Sequence, residues 1–118
     1  MRTVVISIPV DEIRDWDSFH SVFKAALGFP DFYGRNMDAW IDCMTSIDDP
    51  ADGLTSVAAQ AGDLVALRID NAEDFQRRCP EQFDALIECT AFVNYRRTEV
   101  GETPVLTLML NGWFSKPE

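Results

Sequence analysis

LVALRI, residues Leu64 to Ile69, is a short apolar run between Gly62 and Asn71. Its length and its turn-forming flanks read as a buried strand rather than a helix. On its amino-terminal side the stretch from Asp48 to Gly62, with Pro50 and Gly53, reads as a long connection, with a turn or two of helix expected around Val57 to Gln60. On its carboxyl-terminal side Asn71 and Ala72 open a helical stretch that breaks at Pro80 and resumes through Phe83, Leu86, Ile87, Thr90 and Phe92. Two consecutive helices, or one with a kink, fit that pattern.

Further out lie two more runs of the same kind. TVVISI (Thr3 to Ile8) is β-branched, ends at Pro9 and suits a buried strand, and VLTLML (Val105 to Leu110) follows a turn at Gly101. Trp16, Phe19, Phe23, Ala26 and Leu27 recur at helical spacing, with Asp15 or Asp17 available as a cap and Gly28 and Pro30 as the stop. Strands separated by helical crossovers pair in parallel with right-handed connections. The expected fold is therefore α/β: one domain over residues 1–118 with a three-stranded parallel sheet and its helices packed over it.

Twenty Asp and Glu oppose ten Lys and Arg among 118 residues, a formal net charge of −10. Such a chain repels free nucleic acid and anionic membranes at long range and attracts a basic protein. The bias is densest from Asp31 to Asp52, where Asp31, Asp38, Asp42, Asp48, Asp49 and Asp52 face one cation, Arg35. Cys43, Cys79 and Cys89 form no CxxC pair and their odd number closes no full disulfide framework, which fits reduced thiols and a cytoplasmic location. The opening MRTVVISIPVDEI is too briefly apolar for a signal peptide, and no stretch approaches a membrane span.

Asn36 sits where a helix N-cap accepts the free amides of the next turn, and a short helix is expected from Met37 to about Thr45. At helical spacing Met37, Trp40, Ile41 and Met44 make the core stripe, while Asp38, Asp42 and Thr45 share the flank beyond Ile41. Two carboxylates one turn apart repel each other by a few tenths of a kcal/mol, roughly. The helix macrodipole favours Asp38 in the first turn and favours Asp42 much less. A solvated face and a binding site for cationic side chains both fit the pair.

The whole run FPDFYGRNMDAWIDCMT, Phe29 to Thr45, resembles the signature of the barstar family: a proline, two aromatics, a glycine, an asparagine, then a helix carrying Asp, Trp, Asp and Cys. The order of strands and helices across the chain is similar as well. The resemblance implies an acidic inhibitor or immunity protein, the antitoxin of a basic, barnase-like extracellular ribonuclease, whose second helix and preceding loop block the enzyme's active site. A carboxylate on a rigid helix can mimic a phosphate and accept charge-assisted hydrogen bonds from the cations that bind phosphate. Matched position by position, Asp42 takes the place of the family's central carboxylate and Asp38 that of the acid one turn earlier. Phe32 matches the aromatic that covers the nuclease site, Ile41 a helix position that contacts the enzyme, and Gly34 and Asn36 residues that shape the loop. Phe32 stands where tyrosine is usual, Ile41 where better-known members carry tryptophan, and Arg35 where an acid is frequent. Glu88 lies in the region of the family's distal acidic contact. No cofactor and no metal are expected, and the free protein is expected to be a monomer.

Other readings are weaker on the residues. His20 is the single histidine, and no serine or cysteine has a motif that would pair with it as a nucleophile, so a structural or solvent-facing place is expected. Asp48, Asp52 and Gly53 echo part of a calcium loop, but Pro50 interrupts it and Ala59 stands where a bidentate glutamate is needed. A binding module of the same fold with a different, non-ribonuclease partner remains the alternative, and Trp113 in the tail is open to a role at a sheet edge or in self-association.

Overall fold

The computed structural model describes residues 2–114. Strands β1 (Thr3–Ser7), β2 (Leu64–Ile69) and β3 (Leu106–Leu110) form one parallel sheet in the order β1-β2-β3. Helices α1 (Trp16–Leu27) and α2 (Met37–Thr45) lie between β1 and β2, and α3 (Ala72–Arg78) and α4 (Pro80–Glu99) between β2 and β3. The expected three-stranded α/β architecture is the observed one. Because the chain always advances in the same direction across the sheet, right-handed crossovers put every helix on one face.

The register shows the consequence. Val4, Val65 and Leu106 align, as do Ile6, Leu67 and Leu108, and these residues face the helices and belong to the core or pack against it. Val5, Ala66 and Thr107 align on the other face, where Ala66 is shielded by its neighbours but Val5 is 50% exposed. The TVVISI run was expected to be a buried strand. It is instead an edge strand covered on one side only, because β2 takes the centre of the sheet.

Helix α1 begins with a capping box. The Ser18 amide donates to Asp15 Oδ1 at 2.8 Å and the Asp15 amide donates to Ser18 Oγ at 3.0 Å, so Asp15 rather than Asp17 is the cap. The helix ends at Gly28 in the left-handed region (φ 69°). A Cβ there would lie 1.8 Å from Ser56 Oγ, since Ser56 crosses close by and donates its amide to Leu27 O at 3.0 Å. Phe19, Phe23 and Leu27 are fully buried, but Trp16 stays partly exposed and lays its ring over His20, centroids 6.0 Å apart.

The connection from Ser46 to Gly62 holds one 3-10 turn, Pro50–Asp52, and no helix around Val57 to Gln60. Thr55, Val57 and Ala59 are buried while Ser56, Ala58 and Gln60 are exposed, a two-residue alternation that belongs to extended chain and wins over the small residues' tolerance of helix. Asp48 at its start is committed to Arg97, which removes the first carboxylate that a calcium loop would need.

Two helices, not one kinked helix, follow β2. Cys79 leaves helical geometry (φ −134°, ψ 64°) and Pro80 opens α4 at its first position, where its missing N–H costs nothing. The buried stripe of α4 is Phe83, Leu86, Thr90, Val93 and Arg97, at alternating spacings of three and four. Ile87 and Phe92, expected in that stripe, fall off it and are exposed. Arg97 takes an inward place that hydrophobicity alone would not assign.

Candidate functional site

Helix α2 and its entry loop are built from short-range devices. Asn36 Oδ1 accepts from the Ala39 amide at 2.8 Å, the N-cap expected of it, and Asn36 Nδ2 donates weakly to Gly34 O at 3.4 Å. A Cβ on Gly34 would stand 3.3 Å from that of Ala39, so a glycine lets the loop close tightly over the first turn. Trp40, Ile41, Cys43 and Met44 turn inward, and Trp40 meets Phe23 edge to face at 5.8 Å, which locks α2 against α1. Burial, with Asp42 adding to it, pushes the Cys43 thiol up to about 11, so it stays protonated and inert.

The outward flank is what this packing leaves free. Asp38 and Asp42 are exposed on it, and Phe32 on the entry loop is 77% exposed, a large apolar side chain held in water. Ile41 is 8% exposed, so its place is the core stripe and only an edge of it reaches the surface. Phe32, Gly34 and Asn36 are thus exposed on the entry loop and Asp38 and Asp42 on the helix that follows it, with Ile41 almost wholly buried.

Arg35 does not point its charge at this surface. In the left-handed region (φ 54°), it turns back to α1, where Nη2 donates to Asp17 O and Oδ1 at 2.8 Å each and to Ser21 Oγ at 2.9 Å. Behind the loop the Tyr33 hydroxyl and His20 Nδ1 share a hydrogen bond of 2.6 Å. Burial raises the Tyr33 pKa, while burial and then the Arg35 charge lower that of His20, which keeps the proton on the phenol and the imidazole neutral. His20 is a buried strut of the loop.

Helix α4 supplies residues that local sequence reading missed. Arg96 Nη1 donates to Asp42 Oδ1 at 3.0 Å, so the acidic pair has a cation beside it that comes from another helix. Arg97, 3% exposed, forks onto Asp48 (3.0 and 2.8 Å) and donates to Thr45 O at 2.8 Å and Thr103 O at 2.7 Å. It ties the C-terminal end of α2 to α4. Phe92 and Tyr95 stack at 6.4 Å on the exposed side of α4, and Glu88 is exposed one turn before Phe92. Burial raises the Cys89 thiol pKa, and the charges of Glu88 and Asp38 add to it. The signal for Arg96 and Arg97 in the sequence was two adjacent cations on a mostly acidic chain, but nothing local says which helix they meet.

Fold and site together define an α/β domain that presents an aromatic ring and paired carboxylates from its second helix and the loop before it. Residues 3–108 match the family model described as "Barstar (barnase inhibitor)", and the chain belongs to the barstar family. Over 48 residues it is 42% identical to a protein of Bacillus subtilis (strain 168) named "Putative ribonuclease inhibitor YrdF". That match takes in 38% of this chain and 47% of the relative, so about half the relative's length is spanned. Among the described residues no helix is long and apolar enough to cross a membrane.

Proposed function

We propose that this protein is an inhibitor, and in its cellular setting an immunity protein or antitoxin, that binds a basic, barnase-like ribonuclease and occludes its active site without catalysing a reaction. The observation that carries the reading is the exposed triad of Phe32, Asp38 and Asp42 on the capped second helix and its entry loop. Membership of the barstar family and the likeness to a named ribonuclease inhibitor support it. In this reading Asp42 stands in for substrate phosphate, Asp38 adds a second acceptor one turn earlier, and Phe32 covers the site with its ring. Gly34 and Asn36 hold the loop in shape, and Ile41 touches the enzyme at its edge. The free protein is a cytoplasmic monomer that needs neither metal nor cofactor.

The test is inhibition of a barnase-type ribonuclease by the purified protein, with Asp42→Ala beside it and salt varied. Strong, salt-sensitive inhibition that the substitution removes supports the reading. Equal inhibition by both proteins would take Asp42 out of the site, and no inhibition by either would count against this class of enzyme as the partner.

A further inference from the structure

Arg96 is aimed at the acidic surface by a fixed arrangement. Its neighbour Arg97 is buried and bound to Thr45 O, Asp48 and Thr103 O, which sets how α4 is rotated against the end of α2. Consecutive helical residues point about 100° apart. With Arg97 held inward, Arg96 projects along the seam between the two helices and donates to Asp42 Oδ1 at 3.0 Å. One oxygen of the central carboxylate is thus engaged, and a positive charge stands beside a site otherwise suited to cations.

Resting on the ribonuclease-inhibitor reading, we propose that Arg96 is a specificity-determining residue of this surface. An enzyme that presents cations throughout its contact area must displace Arg96 from Asp42 or sit against it, and either costs affinity. An enzyme that places a carboxylate on the side facing α4, next to the arginine or lysine that takes Asp42, keeps every charge paired. Asp42 then accepts from its own Arg96 and from the enzyme's cation, while Arg96 donates to the enzyme's acid. The fitting partner is a ribonuclease whose phosphate-binding cations are bordered by an acidic group.

Arg96 is exposed, so its replacement leaves the core intact. Binding to barnase, taken as the probe, is measured by calorimetry for the parent, Arg96→Gln and Arg96→Glu, each with and without Asp42→Asn. Arg96→Gln is expected to bind roughly tenfold tighter than the parent and Arg96→Glu tighter again. The gain should shrink once Asp42 is Asn, because the released carboxylate is what the enzyme uses. A gain of the same size on both backgrounds overturns the contact with Asp42 as its cause. Arg96→Gln equal to or weaker than the parent, with Asp42→Asn still harmful, overturns the role of Arg96 and leaves the inhibitor reading in place. Binding that no substitution changes, or no binding by any variant, overturns both.

Discussion

Asp42 and Asn36 lie six residues apart and answer to different physics. Asp42 is exposed and among the described residues has one partner, Arg96, so its removal deprives the fold of an exposed ion pair worth about 0–1 kcal/mol. In the proposed complex its removal also takes away the acceptor for the nuclease's desolvated cations. We predict that Asp42→Ala weakens the complex by more than ~2 kcal/mol in titration calorimetry while the midpoint of thermal unfolding hardly moves. Asn36 is the reverse case. Its Oδ1 is spent on the Ala39 amide, so Asn36→Ala should cost ~1 kcal/mol of folding stability, seen as a lower urea midpoint. A large loss of affinity with unchanged stability would show that Asn36 contacts the enzyme directly instead.

At the scale of elements, the seam between α2 and α4 is held by a buried ion pair. Arg97 and Asp48 are both nearly removed from water and share two hydrogen bonds, and Arg97 also satisfies Thr45 O, one of the carbonyls that the end of α2 leaves without a partner. Breaking one side leaves a charge buried and uncompensated. We predict that Arg97→Met destabilises the protein by ~3–5 kcal/mol in urea unfolding. Replacing both, Arg97→Met with Asp48→Leu, should recover part of that loss, whereas a double variant no better than the single would mean that the bonds to Thr45 O and Thr103 O dominate.

For the whole molecule the pH dependence of stability should show two windows. Burial, and then Arg35, hold His20 below its ordinary 6.5, so the unfolded chain takes up a proton first as pH falls. The stability associated with neutral His20 is complete above 6.5 and is lost as pH drops from there through the lower, folded value. Hydrogen bonds likewise hold Asp15, Asp63, Asp70 and Asp74 below their ordinary 3.8, so their contribution persists through the first window and is lost only as pH falls from 3.8 downward. Urea unfolding from pH 8 to 3 should show both falls, and His20→Gln should remove the first alone. An unaltered slope between pH 6.5 and 5 in that variant would assign the window to another group.

Much of the fold was readable because its signals are local. The three apolar runs, the Asn36 cap, the Gly28 stop and the break at Pro80 each act within a few residues, and the helical spacing of Met37, Trp40, Ile41 and Met44 already separated a core stripe from the flank of Asp38 and Asp42. The run from Phe29 to Thr45 likewise carried the family in its own order of residues. What the chain could not announce depends on neighbours distant in sequence. Strand order made TVVISI an edge rather than a centre, the rotation of α4 put Phe92 outside and Arg97 inside, Arg35 turned away to Asp17, and Arg96 came to rest on Asp42. By itself the sequence determined the elements and the carboxylate pair, since caps, turns and periodicity are short-range. Only the tertiary structure decided which charges those carboxylates meet, because ion pairing follows distance in space and the chain order does not encode it.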